Sequence, residues 1–338
     1  MREIVEFRRI NPLSYFTNYF YIVYMNNGRR EQIALIGYGS QGRAWALNLR
    51  DSGYNIIIGL PRRSKSIRIA RRDGFKEIAA VSNAVELSDI VIFAFPDHLH
   101  GKVYKKDIKP YLKRKTTLVF LHGFSLHFRT VTPPRVNDII LLAPLAPGLA
   151  LRENYLKKKP VSYFYSIHHD ATGRAKATLT SLIQGLGIER RNLIETTVAE
   201  EALGDIFGEQ AVLCGGLSQL IKAGYDTLVE AGLSSDKAYL EVAYQIDLIV
   251  ELIKKYGIEG MLRRISVTAR VGSLLSGRRI IDKSVRSQMK KVLADIKSGK
   301  FARRLASLDE KSLRKMDTAV RKMSSVAFEK SARKFAPR

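Results

Sequence analysis

Apolar residues in this chain fall in two different rhythms. Between residue 33 and about residue 168 they come as short continuous runs, many of them rich in β-branched residues. The runs are Ile33–Ile36, Asn55–Leu60, Ile90–Phe95, Thr116–Leu121, Ile139–Ala143 and Val161–Ile167. Helical or polar stretches separate most of them. Runs that are apolar on both faces and joined by helices predict a doubly wound, mainly parallel sheet with both faces covered. After about residue 190 the runs stop. Segments 198–231, 235–257 and 283–297 repeat their apolar residues at the helical period, which predicts an all-helical second half. The change of rhythm places a boundary near Arg190–Thr197. No internal repeat or low-complexity linker interrupts the chain.

The first run leads straight into Gly37-Tyr38-Gly39-Ser40-Gln41-Gly42, and then into a helical pattern with Ala44, Trp45, Leu47 and Leu49. A bare glycine pattern of this kind matches many unrelated turns. Between a strand and a helix it has a specific use. Gly37 permits the tight turn, Gly39 lets the backbone approach a pyrophosphate, and Gly42 lets the helix pack close to the strand. The phosphates then sit on the helix N-terminus. Residues 37–42 are therefore expected to bind a dinucleotide. In such folds the loop after the second strand meets the adenosine ribose, where an acid selects the free 2′-hydroxyl and arginines select a 2′-phosphate. Here that loop carries Arg62, Arg63, Ser64, Lys65 and Ser66 and no acid. Charge-assisted bonds to a phosphate follow, so the expected cofactor is NADP(H) rather than NAD.

A second chemical pattern lies in the helical half. Glu201, Asp205 and Glu209 are spaced i, i+4, i+8 with apolar neighbours, and Glu241 is followed four residues later by Gln245. Three carboxylates on one helix face repel unless a cation lies between them, and a hard divalent ion such as Mg²⁺ suits the role. Alone, such spacing more often marks a solvated face. His122 ends the run Thr116–Leu121, and the carboxyl ends of strands in open α/β sheets are where ligands bind. His98 and His100, and the pair His168-His169, have no third ligand nearby in sequence and read as structural.

Composition narrows the class further. The 338 residues suffice for two domains with real cores, and no apolar run reaches the roughly 18 residues of a membrane span. The aromatic-rich stretch 1–30 is broken by Asn and Pro and has no continuous apolar region, so it reads as an added strand or docking arm rather than a signal peptide. One cysteine, Cys214, excludes an intramolecular disulfide and suits a reducing cytoplasm. The net charge is +25, and residues 278–338 hold 19 Lys+Arg against 6 Asp+Glu. Such a surface attracts polyanions, but its basic residues are interleaved with apolar ones, as on an amphipathic helix with a solvated face. No specific nucleic-acid partner is expected.

These residues resemble the ketol-acid reductoisomerase family, in its short form. The resemblance runs from about residue 30 to about residue 305. It includes IGYGSQGRAWALNLRDSG from Ile36, DGF at 73–75, FPD at 95–97, HGFSLHF at 122–128, the AP..PG frame at 143–148 and IETT at 194–197. It continues through DIFGEQAVLCGG at 205–216, EAG at 230–232, AYLE at 238–241, ISVTA at 265–269 and GRRIID at 277–282. It implies an α/β Rossmann-like dinucleotide-binding domain followed by an all-α (knotted) helical domain that intertwines in a homodimer. The implied divisions are an extension at 1–30, an NADP-binding domain at 31–192, a helical domain at 193–310 and a basic tail at 311–338.

The resemblance also implies a reaction. Mg²⁺ polarises the oxygens of an acetohydroxyacid and drives an alkyl migration, and NADPH reduces the resulting 2-keto acid. By position, Asp205, Glu209 and Glu241 are the implied metal ligands, with Glu241 reaching in from the partner subunit. His122, Glu201 and Ser266 are the implied catalytic residues. Pro96 and Asp97 join the cofactor contacts.

The departures from the family pattern fall at the chemistry. The family reads Ala-Pro-Lys-Gly-Pro-Gly-His where this chain has Ala143-Pro144-Leu145-Ala146-Pro147-Gly148-Leu149. Leu145 cannot donate a proton or offset negative charge. Gln245 stands where the family has a glutamate, Val267 and Arg270 depart around Ser266, and Pro61 replaces the first arginine of the ribose loop. Three readings stay open: a reductase with an impaired isomerase step, an ordinary reductoisomerase, and a non-catalytic NADP-binding paralogue or partner subunit.

Overall fold

The computed structural model describes residues 31–336; the stretch 1–30, read above as a strand or docking arm, lies outside them. The described residues fall into two compact units, divided between Val198 and Ala199.

Among the described residues, the first unit has eight strands: β1 (Gln32–Ile36), β2 (Asn55–Gly59), β3 (Ile78–Ala79), β4 (Ile90–Phe93), β5 (Thr117–Phe120), β6 (Asp138–Pro144), β7 (Tyr163–His169) and β8 (Leu193–Glu195). Its helices are α1 (Ser40–Asp51), α2 (Ser66–Arg72), α3 (Val81–Leu87), α4 (Asp97–Val103), α5 (Phe124–His127), α6 (Gly148–Leu156) and α7 (Ala175–Gly185). The strands lie in the order β3-β2-β1-β4-β5-β6-β7-β8. Every neighbouring pair is parallel except β6 and β7. The order reverses at β1 and β4, the switch point where doubly wound sheets bind ligands.

The apolar runs work as expected of a sheet covered on both faces. Along β1, Ile33 and Leu35 enter one core cluster, whereas Ala34 and Ile36 enter the other. The alternation follows from the two-residue period of a strand. Trp45 of α1 is fully buried and meets Tyr163 of β7 edge to face at 6.3 Å. Each large side chain buried in this way stabilises the fold by roughly 1.5–3 kcal/mol.

Three features depart from the sequence reading. Strands β3 and β8 are additional and contain two and three residues. The β7 run is antiparallel to β6 and extends through His168 and His169. His169 donates from Nε2 to the carbonyl oxygen of Arg135 at 2.8 Å, so it serves the sheet edge.

The second unit is helical. Helix α8 (Val198–Gly208) crosses into it, and α9 (Gly215–Glu230), α10 (Ser235–Tyr239), α11 (Ile246–Leu262), α12 (Val267–Ile280), α13 (Lys283–Lys297), α14 (Lys300–Ala306), α15 (Glu310–Arg321) and α16 (Val326–Phe335) follow. Gly257 has φ 70° and kinks α11. The segment expected as a basic tail holds α15 and α16, capped by Asp309 and Ser325. Its apolar side supplies the reason: Phe328 packs edge to face on Tyr225 and Tyr239, and Ser331 bonds Asp236 at 2.6 Å.

Candidate cofactor and catalytic site

The glycine turn leaves β1 beside the ends of β2 and β4. Gly37 has φ +95° and packs on the Ala94 backbone, where a side chain has no room. Gly39, by contrast, has open space in front of it, and it caps α1 with no side-chain hydrogen bond. The first-turn N–H groups of Ser40, Gln41 and Gly42 therefore carry no side-chain cap, which suits an anion. These residues fit a pyrophosphate. Tyr38 contributes differently. Its ring is buried, and its hydroxyl donates to Asp73 Oδ2 at 2.8 Å. Burial and the neighbouring Asp73 carboxylate push the Tyr38 hydroxyl well above its usual range.

Asp73 holds this corner together. Arg43 donates to both of its oxygens, at 2.6 and 2.8 Å, and Arg50 donates to its backbone carbonyl. The Arg43 bond, together with the Tyr38 bond, keeps the Asp73 carboxyl below its ordinary value despite partial burial. The guanidinium of Arg50 also lies over the Phe75 ring at 4.9 Å. The DGF segment thus braces the turn from behind.

The loop after β2 turns tightly, with Ser64 N–H donating to the Pro61 carbonyl at 2.9 Å and Ser66 N–H to Ser64 Oγ at 3.3 Å. Arg62, Arg63 and Lys65 are exposed. On the other side of the turn, Gln41 Nε2 donates to the Ala146 carbonyl at 2.9 Å. Gly148 opens α6 against Ser40, where a Cβ would overlap the Ser40 carbonyl oxygen. Leu145 lies in this segment, with its N–H held by the Ser162 carbonyl at 2.9 Å and its side chain 48% exposed.

His122 follows β5, and Asp97 opens α4 after β4 and the exposed Pro96. His122 Nδ1 is 3.2 Å from Asp97 Oδ2. A third residue, His100, is buried behind them between Ser125 Oγ at 2.7 Å and the Phe95 carbonyl oxygen at 2.8 Å. Sequence reading classed His100 as structural and missed this juxtaposition.

In the second unit, Glu201 on α8 is buried, whereas Asp205 and Glu209 are exposed. Glu209 opens a π-helical turn, Glu209–Leu213, and Glu241 lies in another, Leu240–Tyr244. Such turns are costly and recur at functional sites. Gln245 Nε2 approaches Glu241 Oε2 at 3.4 Å, so the amide donates to the carboxylate it accompanies. Ser266 caps α12, its Oγ accepting from Ala269 N–H at 3.1 Å. Among the described residues of one chain, no group of three or more His, Cys, Asp or Glu is placed to hold a metal ion.

Comparison with known proteins agrees with this arrangement. Residues 29–192 match the family model for acetohydroxy acid isomeroreductase, NADPH-binding domain, and residues 198–337 match that for ketol-acid reductoisomerase, C-terminal domain. A ketol-acid reductoisomerase (NADP(+)) of Petrotoga mobilis is 46% identical over 275 residues, 81% of this chain and 83% of the relative. One from Saccharolobus solfataricus is 40% identical over 296 residues, 88% of this chain and 87% of the relative. The solved structure of an NADH-preferring ketol-acid reductoisomerase from an uncultured archaeon aligns with TM-score 0.85 at 34% identity, covering 91% of this chain and 95% of that one. With both units matched in order and relatives at these identities, this chain belongs to the ketol-acid reductoisomerase family.

Proposed function

We propose that the protein is an NADPH-dependent oxidoreductase of the ketol-acid reductoisomerase type. It acts on an acetohydroxyacid or related 2-keto acid in branched-chain amino-acid synthesis, in the cytoplasm, with reduction retained and isomerisation weakened. The observation that carries this reading is the open, uncapped glycine turn at the switch point of the sheet. It occurs in a chain whose two units both match the family.

When bound, NADPH would supply a hydride for a carbonyl carbon, and Mg²⁺ held by the carboxylates of the helical unit would supply polarisation of substrate oxygens. The chain's own residues bind and orient. The α1 N-terminus and the backbone of residues 37–42 take the pyrophosphate. Arg62 and Arg63, with the hydroxyls of Ser64 and Ser66, take the 2′-phosphate. The imidazole of His122 exchanges a proton with substrate at the strand ends, and in the helical unit Glu201 and Ser266 are the other proposed catalytic residues. Asp205 and Glu209 are the proposed metal ligands, completed by Glu241 of a second copy. A single described chain does not itself gather such a set.

A second copy also accounts for the apolar surface of the helical unit. Val267 is 67%, Leu274 63% and Leu275 69% exposed on α12, and their i, i+7, i+8 spacing puts them on one side of the helix, which suits an association site. The proposed assembly is a homodimer or a multiple of it. No helix among the described residues is long and apolar enough to cross a membrane, and no specific nucleic-acid partner is proposed.

Weakened isomerisation rests on Leu145 and Gln245. Alkyl migration needs closely held metals and charged neighbours; hydride delivery needs mainly a bound cofactor and one polarised carbonyl. The test compares turnover of 2-acetolactate with that of 3-hydroxy-3-methyl-2-ketobutyrate, using NADPH with Mg²⁺ or Mn²⁺. Turnover of the second, with very weak or no turnover of the first, is expected. Turnover of both at comparable rates supports an ordinary reductoisomerase, and turnover of neither supports a binding protein.

A further inference from the structure

We propose that Asp97 is a positioning residue. Its carboxylate holds the His122 imidazole with the proton on Nδ1, which leaves Nε2 as the ring nitrogen that exchanges a proton at the end of β5. This differs from the cofactor contact that its place in the sequence suggests.

Phe93 of β4 pairs with Phe120 of β5, so the two strands end side by side. Asp97 follows one and His122 the other, and their side chains meet at 3.2 Å. Burial works to raise the Asp97 carboxyl, but the His122 hydrogen bond, and after it the imidazoles of His122, His100 and His98 around the group, outweigh burial and hold the carboxyl below its ordinary value. An ionised carboxylate has lone pairs and no proton, so the His122 nitrogen facing it must be the donor.

His100 makes the assignment sharper. Its Nδ1 lies 3.7 Å from Asp97 Oδ1, which in principle offers the carboxylate a second proton. Its Nε2, however, faces the Phe95 carbonyl oxygen at 2.8 Å, and a carbonyl can only accept. The Nε2 of His100 therefore carries the proton. Burial pushes this ring's pKa below the ordinary histidine value, which favours the singly protonated ring. Its Nδ1 then accepts from Ser125 Oγ at 2.7 Å and has no proton for Asp97. Of the two rings beside the carboxylate, His122 alone can donate to it. A carboxylate behind a proton-exchanging histidine fixes its tautomer and stabilises the imidazolium that forms.

The consequence for turnover rests on the reductoisomerase reading above; the tautomer does not. Protein labelled with ¹⁵N-histidine, with His122 assigned by its loss in His122→Gln, is read by NMR at a pH where the ring is neutral. The wild-type ring is expected as the Nδ1–H tautomer. In Asp97→Asn the side-chain amide can donate to Nδ1, and the proton is expected to move to Nε2. For the same variant kcat is expected to fall on the order of 10²-fold, within the range a positioned proton-transfer group contributes. KM and the Kd for NADPH stay within about twofold of wild type. A wild-type Nε2–H tautomer overturns the proposal even if Asp97→Asn fails to fold. So does a variant that binds NADPH more weakly at unchanged kcat, because that is the signature of a cofactor contact. If wild-type protein turns over no acetohydroxyacid or 2-keto acid, the functional reading falls and the tautomer still decides the role of Asp97.

Discussion

The amide of Gln41 donates to the carbonyl oxygen of Ala146 at 2.9 Å and so ties the glycine turn to the segment that carries Leu145. The two residues are 105 positions apart. The tie fixes the backbone on both sides of Leu145, since its own N–H is held by Ser162. The scaffold around this position is rigid while its side chain is free to differ.

Leu145→Lys is therefore expected to be tolerated. The side chain is about half exposed, no cavity is left and no buried group is stranded, so stability should change by no more than about 0.5 kcal/mol. A lysine restores a charged donor. Isomerisation of 2-acetolactate is expected to rise on the order of 10–10²-fold, with a smaller change in reduction of 3-hydroxy-3-methyl-2-ketobutyrate. Parallel steady-state assays on the two substrates check it. An unchanged ratio of the two rates sinks the idea that Leu145 limits the first step.

Cofactor choice is expected to rest on the loop after β2. Wild-type protein should bind NADPH more tightly than NADH. Arg62 and Arg63 are exposed, so each charge-assisted contact to the 2′-phosphate contributes near the lower end of its range, about 1.5 kcal/mol. Arg62→Ala with Arg63→Ala should then weaken NADPH binding on the order of 10²-fold and leave NADH nearly unchanged. Calorimetric titration of both cofactors provides the measurement. Equal wild-type affinities would contradict the assignment.

Asp73 should contribute stability in a pH-dependent way. The folded carboxyl sits below its ordinary value of 3.8, first because of the Arg43 bond and then the Tyr38 bond. A depressed folded pKa means that the stabilisation is complete above the unfolded value and is lost as pH falls through the folded one. Asp73→Ala also strands the buried Tyr38 hydroxyl. The cost at pH 7 is expected to be about 1–3 kcal/mol. Urea unfolding of wild type and variant should give curves of stability against pH that approach each other below about pH 4. A constant gap down to pH 2 would place the effect outside the ionised carboxylate.

The α12 surface tests the assembly. Leu274→Asp with Leu275→Asp places charges where two apolar side chains are now exposed. In a free monomer this change costs little, but in a buried interface two unpaired carboxylates are strongly unfavourable. Sedimentation at micromolar concentration is expected to give a homodimer or larger for wild type and a smaller species for the variant. A wild-type monomer would remove the second copy from the proposed site.

Local pattern carried much of this protein's organisation. The runs at 33–36, 55–60, 90–95, 116–121 and 139–143 needed only β-branched composition and length to announce buried strands, because a parallel sheet covered on both faces demands continuous apolar stretches. The glycine turn was equally legible at Gly37, which has φ +95°, and at Gly42, where a side chain would meet the Gly37 carbonyl and Ala94, because each meets a backbone requirement that acts within a few residues. Other features depended on tertiary contacts. Strands β3 and β8 are too short to form a pattern and exist because β2 and β7 offer them partners. The reversed direction of β7 is set by the path of the preceding chain, as side-chain alternation is the same in either direction. The brace of Tyr38 on Asp73 and the meeting of His122 with Asp97 join residues 35 and 25 positions apart. Residue type and spacing nominate such groups, but a hydrogen bond depends on distance and direction in space. Only the packing of α4, β4 and β5 brought Asp97, His122 and His100 close enough for one ring's proton to be assigned by the other's.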